Sequence, residues 1–284
     1  MSIKINNLTH IYNEGTAMAK TAIDNITFEI NDGEFIGLIG HTGSGKSTFI
    51  QHLNALIKPT RGEILLNGVD INADKTKLKT IRQRVGLVFQ YPEHQLFEMT
   101  VYKDVCYGPT NLGLSIDEID QRAKRALETV GIGEEIYEKS PFELSGGQKR
   151  RVAIAGILAM QPEVLILDEP TAGLDPKGRD EILNAIKEMH KSLGIIVILV
   201  SHSMEDVARL VDRIIVMHQG KIAVTGTPKE VFGQAKMLES IGLAAPQVSY
   251  VMMGLKGKGF NVPQDVYTID EATKVLYSLL KQVK

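Results

Sequence analysis

Nine residues constrain this chain more than any others: Gly40-His41-Thr42-Gly43-Ser44-Gly45-Lys46-Ser47-Thr48. An apolar run, Phe35-Ile36-Gly37-Leu38-Ile39, precedes them, and a helix-like stretch, Thr48-Phe49-Ile50-Gln51-His52-Leu53, follows. Strand, glycine loop and helix in that order form the context a phosphate-binding loop requires. Glycines let successive backbone N–H groups turn inward around phosphate oxygens, and the helix beginning near Gly45 adds the positive end of its dipole. In that arrangement Lys46 reaches the β- and γ-phosphates and Ser47 ligates Mg²⁺. The loop predicts a nucleotide triphosphate site and leaves open the chemistry that follows binding.

A chain of 284 residues, 43% of them hydrophobic, can bury one large α/β core and a smaller lobe. The net charge of −2 comes from mixed signs without long like-charge blocks, so no footprint for nucleic acid is expected. Cys106 is the single cysteine and cannot form an internal disulfide, which fits a reducing cytosolic setting. Met1 to Leu8 alternates polar and apolar residues like a strand, unlike a signal peptide. The longest apolar runs, such as Ile195-Ile196-Val197-Ile198-Leu199-Val200, fall far short of the roughly 20 residues needed to span a bilayer. Any link to a membrane is therefore expected to be peripheral.

Ile3 to Leu8 and Ile26 to Ile30 read as alternating strands, Lys46 to Leu56 as a helix, and Glu63 to Gly68 as a strand closed by a turn. Tyr12, at the end of the first strand, either stacks on a nucleotide base or simply packs; the local sequence does not decide between them. Val85 to Phe89 is a buried-strand run ending at Gln90, and a mainly helical region follows to about Met160. Within it, Ser115 to Glu118 has capping-box spacing, and Ile119, Ala123, Ala126, Leu127 and Val130 share one apolar face up to Gly131. Leu144-Ser145-Gly146-Gly147-Gln148 opens the last helix of this lobe, again with capping-box spacing. Two glycines in a first turn cost up to about 1 kcal/mol each relative to alanine. That cost suggests close approach of a phosphate to bare N–H groups, against the plainer reading of a flexible loop running into a helix.

Val164-Leu165-Ile166-Leu167 reads as a strand buried on both faces and ends in Asp168-Glu169. A helix from Lys177 to Ser192 leads to the strand Ile195 to Val200, which ends in Ser201-His202. Ile214 to Met217 and Lys221 to Val224 close the core around Gln219-Gly220. Four apolar runs alternating with helices predict a parallel sheet, and each ends in a polar element: the Gly40 loop, Gln90, Asp168 with Glu169, and His202. Ligands of open α/β folds sit at the carboxyl ends of strands, so these elements are expected to face one crevice.

In this order, the phosphate loop, Gln90, Leu144 to Gln148, Asp168-Glu169, Asp175 and His202 resemble the ATPase subunit of an ABC transporter over about residues 1–232. Phe89-Gln90-Tyr91-Pro92-Glu93-His94-Gln95-Leu96-Phe97 and Gly40-His41-Thr42-Gly43 look more narrowly like the energy-coupling factor (ECF) ATPases of vitamin, cobalt or nickel uptake, the second of two paralogues. The resemblance implies a P-loop NTPase fold of the α/β class: a mostly parallel sheet with an N-terminal antiparallel β-subdomain, a helical subdomain inserted at about 91–160, and a small helical domain at 233–284. It implies ATP and Mg²⁺ bound by Gly40, His41, Thr42, Gly43, Ser44, Gly45, Lys46, Ser47 and Thr48, with Tyr12 stacking on adenine. Asp168 would hold Mg²⁺ through water, Glu169 would act as general base, His202 would hold the γ-phosphate, and Gln90 would sense the metal and couple to the membrane partner.

In such proteins the signature helix faces the nucleotide of the opposite subunit. Ser145, Gly146, Gly147 and Gln148 would then complete a site in another chain, with Asp175 at the contact. Ala172-Gly173-Leu174-Asp175 departs from many relatives in carrying Gly for Ala and leaves Asp175 in place. The implied partners are a second ATPase subunit, a paralogue or a second copy, and transmembrane coupling and substrate-binding subunits at the cytoplasmic face. A soluble ABC-type ATPase of DNA repair or ribosome function is the alternative, but it usually carries long coiled-coil insertions or paired cassettes, which this chain lacks. A binding module without turnover conflicts with an intact Glu169 and His202.

After Thr227-Pro228-Lys229-Glu230, a capped helix start, Thr268 to Glu271 caps a final helix in which Val275, Leu276, Leu279 and Leu280 share a face. That face packs on its own core or makes an ATPase–ATPase contact. Lys256-Gly257-Lys258-Gly259 reads as a turn.

Overall fold

In the computed structural model, which describes residues 2–73 and 78–282, the N-terminal strands form a sheet of their own. Met1 and residues 283–284, at the ends of the expected divisions, lie outside the described residues. Strands β1 (Ile3–Tyr12) and β2 (Lys20–Ile30) pair antiparallel. After β3 (Phe35–Ile39) and helix α1 (Lys46–Leu53), β4 (Arg61–Leu66) returns to β1, and β5 (Val69–Asp70) pairs with β4. Both β1 and β2 run further than their alternation suggests. Register shifts between Ile5 and Leu8 and between Leu8 and His10, with Asn7 and Asn25 at φ of 50° and 51°, break the period of two without ending the pairing. Helix α1 conversely stops at Leu53 rather than Leu56, because Ala55 turns to a φ of 52° and the Asn54 amide donates to the Val85 carbonyl.

Helix α2 (Leu78–Arg84) leads into β6 (Val85–Val88), and the chain then leaves the sheet for α3 (Val101–Leu112), α4 (Ile116–Thr129) and α5 (Gly146–Leu158). Ser115 accepts from the Glu118 N–H as its spacing predicts. The Glu118 carboxylate does not close the box but pairs with Arg122 one turn on. At α5 the box is complete, Ser145 and Gln148 satisfying each other's backbone N–H groups.

The chain re-enters the sheet at β7 (Val164–Asp168), crosses by α6 (Pro176–Leu193) to β8 (Ile196–Val200), and by α7 (Met204–Leu210) to β9 (Arg213–His218) and its hairpin partner β10 (Lys221–Gly226). The sheet order is β10-β9-β3-β8-β7-β6, parallel except for β10. Successive side chains of its strands point to opposite faces, so both faces are covered. Phe35, Leu165, Leu167, Val197 and Leu199 pack with α5 and α6. Ile36, Leu38, Ile166, Ile196 and Ile198 pack with α1 and the N-terminal sheet.

Helices α8 (Pro228–Phe232), α9 (Ala235–Ser240), α10 (Gln247–Gly257) and α11 (Ile269–Gln282) follow. Met252, Val262, Val266 and Ala272 form a small separate core, against which Val275, Leu276 and Leu279 pack. Leu280 does not share that face and is 66% exposed. Of the expected turn, Lys256 and Gly257 still belong to α10, whose last N–H···O=C bonds reach them, and only Lys258 and Gly259 turn. Among the described residues no helix is long and apolar enough to cross a membrane.

Candidate active site

The loop after β3 is shaped by close backbone approach. A Cβ on Gly40 would lie 2.4 Å from the Met217 carbonyl oxygen, and one on Gly45 2.6 Å from that of Ala22, so glycine is obligatory at both. Around Gly43 a Cβ would meet nothing within 4 Å, so it is the φ of 82° rather than crowding that favours glycine there. Lys46 Nζ donates to the carbonyls of Gly40 at 2.6 Å and His41 at 3.1 Å, spanning the loop mouth. Burial pushes the Lys46 ammonium down, against the pull of Glu169 and Asp168.

The parallel strands deliver the remaining groups. Asp168 ends β7, and burial together with the neighbouring Glu169 charge raises its carboxyl, with Lys46 and His202 opposing. Glu169 follows at a φ of 49°, a left-handed conformation that costs a non-glycine residue on the order of 1 kcal/mol. Its N–H is anchored on the Val200 carbonyl at 3.0 Å. One carboxylate oxygen lies 2.8 Å from His202 Nε2, beyond β8, and the other accepts from Gln90 Nε2, beyond β6, at 3.0 Å. Each oxygen accepts one contact and keeps a second lone pair on which a water can be held.

These residues line a cleft of about 700 Å³ together with Tyr12, Thr42, Gly43, Gly45, Lys46, Ser47 and Thr48. The Tyr12 hydroxyl lies 3.2 Å from Thr48 Oγ1 and the ring is partly exposed at the rim. Lys20, Thr21, Ala22, Gln219 and Gly220 also line it. The first three belong to the part of β2 that alternation does not mark. The donor set of Ser47, Gln90 and Asp168 is all oxygen-bearing and shares this cleft, which fits a hard divalent cation bound beside phosphates.

Other expected residues stand elsewhere. The His41 ring meets that of His218 edge to face, centroids 5.1 Å apart, and Ser44 is wholly buried with no partner for its hydroxyl among the described residues. Ser145, Gly146, Gly147, Gln148 and Asp175 do not line the cleft. Asp175 caps α6 through the Gly178 N–H at 2.7 Å. A Cβ on Gly147 would meet nothing within 4 Å, and one on Gly146 only Leu174 at 3.9 Å. Among the described residues no contact demands glycine at either position.

The family model described as ABC transporter matches residues 23–172. The energy-coupling factor transporter ATP-binding protein EcfA2 of Clostridium tetani is 60% identical over 98% of this chain and 97% of its own length. That of Caldanaerobacter subterraneus is 59% identical over 100% and 99%. Among solved structures, cbiO1 from Clostridium perfringens, part of the ABC transporter complex cbiONQ, matches with a TM-score of 0.76 at 41% identity, over 88% of this chain and 98% of that one. The ATP-binding cassette MJ0796, a dimer in a post-hydrolysis state bound to ADP and Pi, matches with a TM-score of 0.70 at 31% identity, over 80% and 98%. Phosphate loop, polar strand ends and near full-length identity agree that the chain belongs to the ABC transporter ATPase family, within its energy-coupling factor branch of EcfA2 proteins.

Proposed function

We propose that the chain binds ATP with Mg²⁺ in the cleft and hydrolyses it as one of two ATPase subunits of an energy-coupling factor transporter, held peripherally on the cytoplasmic side of a membrane. The observation that carries this reading is Glu169, fixed between His202 and Gln90 at the mouth of the phosphate loop. Thr42, Gly43, Gly45, Lys46 and Ser47 bind the phosphates, with Gly40, His41 and Ser44 shaping the loop and Tyr12 and Thr48 at the base end. Ser47, Gln90 and Asp168 would hold Mg²⁺, which would neutralise phosphate charge. Glu169 takes the proton of the attacking water as the P–O bond to ADP breaks, and His202 keeps that water and the γ-phosphate in line.

The partner subunit is a paralogue or a second copy, and Ser145, Gly146, Gly147, Gln148 and Asp175 serve its nucleotide. Residues 1–232 act as the ATPase domain, with a helical subdomain at about 91–160, and 233–284 as a small domain at the ATPase–ATPase contact. An apolar groove of about 470 Å³, lined by Leu96, Phe97, Tyr107 and Met160, adjoins the segment that follows Gln90. With Phe97 and Tyr107 exposed there, it suits a transmembrane coupling subunit, which with a substrate-binding subunit would import a vitamin or transition-metal micronutrient.

Because half of each site comes from another chain, specific ATPase activity should climb steeply with subunit or partner concentration. A rate per subunit that stays constant on dilution to the monomer refutes the shared site. Co-purification of membrane subunits with the tagged chain, rather than of nucleic acid, separates this reading from a soluble mechanoenzyme.

A further inference from the structure

Lys20 lines the cleft beside the phosphate loop, yet it belongs to none of the motifs that mark the other residues there. It opens β2 directly opposite Tyr12 in the β1–β2 register. Opposed residues of an antiparallel pair project to the same face, with Cβ atoms about 5 Å apart. Ala22 shares that face two residues on, about 6.5 Å along the strand. There β2 runs against the phosphate loop, since the Ala22 carbonyl is the atom that a Cβ on Gly45 would strike at 2.6 Å. The stretch from Lys20 to Ala22 is thus the wall that joins the aromatic rim at Tyr12 to the loop.

The Lys20 ammonium is uncommitted. The carboxylates nearest to it in sequence are already taken, Glu14 by Arg61 at 3.9 Å and Asp24 by Lys221 at 3.0 Å. Among the described residues no acceptor or aromatic ring engages Lys20. Lys46, by contrast, is held at the loop mouth by the carbonyls of Gly40 and His41. Of the charged side chains along the cleft, Asp168 and Glu169 set two carboxylates against Lys46, a balance unfavourable to a polyphosphate, and Lys20 evens it. A lysine ammonium is a compact charge on a flexible stem, suited to a phosphate oxygen without demanding a planar partner.

We propose that Lys20 binds the α-phosphate of the nucleotide, as a second cation of the site beside Lys46. The inference rests on the reading of the cleft as the ATP site. With the β- and γ-phosphates at Lys46 and the base at Tyr12, the α-phosphate and the ribose cross the wall between Lys20 and Ala22. Of these two groups the α-phosphate alone carries charge, and Lys20 is the cation on that wall. The α-phosphate is common to the triphosphate and to the product diphosphate. Lys20 therefore holds substrate and product alike and contributes uniform binding rather than binding reserved for the transition state.

The test titrates the full-length chain carrying Lys20→Gln with ATP, ADP, AMP, CTP and 2′,3′-dideoxyATP, by displacement of a fluorescent ATP analogue in EDTA so that no turnover intervenes. All five dissociation constants should rise by one common factor, about three- to tenfold. That factor should shrink as salt is raised from about 0.05 to about 0.5 M, because an exposed ammonium is screened. Lys20→Arg keeps the charge and should stay within about twofold of wild type. A loss confined to ATP puts the ammonium on the γ-phosphate, and one that spares AMP puts it on the β-phosphate. A loss that spares CTP puts it on the purine, and one that spares the dideoxynucleotide puts it on a ribose hydroxyl. Each of these overturns the proposal, as does a loss insensitive to salt or wild-type affinity throughout. Lys46→Ala is the control. If it binds ATP as tightly as wild type, the cleft is not the nucleotide site and this inference fails with that reading; if it loses ATP while Lys20→Gln does not, only this inference falls.

Discussion

Glu169→Gln should lower kcat by about 10²–10⁴-fold, the range expected when a general base is removed, without weakening ATP binding. The amide keeps the volume and still accepts a hydrogen bond from Gln90 or His202, so the cleft keeps its shape. What it loses is the capacity to take a proton from water. The change also removes one of two adjacent negative charges, the same charge that helps to raise the Asp168 carboxyl. Phosphates therefore meet less repulsion, and the dissociation constant for ATP should stay level or fall. With binding intact and hydrolysis blocked, the ATP-bound closed dimer should accumulate, visible as an ATP-dependent shift to dimer on size exclusion. A fall in kcat matched by kcat/KM is the pattern of a group that acts only in the transition state. Turnover within twofold of wild type would remove Glu169 from the role of base and leave His202 or solvent as the alternative.

The parts of this site that the sequence announces are those whose cause is local. A strand buried on both faces must be apolar along its whole length, so Val164 to Leu167 and Ile196 to Val200 mark their own ends, and Asp168, Glu169 and His202 stand out by interrupting them. The phosphate loop is legible because its glycine spacing and Lys46 fall within nine residues, even though the carbonyls that force Gly40 and Gly45 belong to Met217 and Ala22. Lys20, Thr21 and Ala22 were hidden for the opposite reason: bulges in β1 and β2 break the alternation that would have extended β2 to them. Arg150, wholly buried in α5, pairs with Glu93 57 residues away, and neither lies in a pattern that signals the other, so only the folded chain discloses the pair. The signature glycines fall between these cases. Their pattern is plain in the sequence, yet no contact among the described residues explains it, and what the fold adds is the empty space beside Gly147.

Acid should destabilise this protein through His52, by about 3 kcal/mol between pH 6.5 and about 4. His52 sits in α1 with no exposure; its Nδ1 donates to the Thr48 carbonyl at 2.7 Å and its Nε2 has no partner among the described residues. Its ring meets that of His10 edge to face, centroids 4.7 Å apart, and His10 meets Tyr12 in the same way at 4.6 Å. Burial, with a smaller push from His10, brings the imidazole down to about 4 from 6.5. The unfolded chain therefore takes up a proton near pH 6.5 that the folded chain refuses until about 4, so stability is lost as pH falls through that window and no further below it. Half-buried Asp168 and buried Asp104 act in the opposite sense, since raised carboxyls favour the folded state on acidification. His52→Phe isolates the histidine from them: urea unfolding should give a stability curve with a shallower acid limb than wild type, and parallel curves for the two proteins would show that His52 is not held neutral.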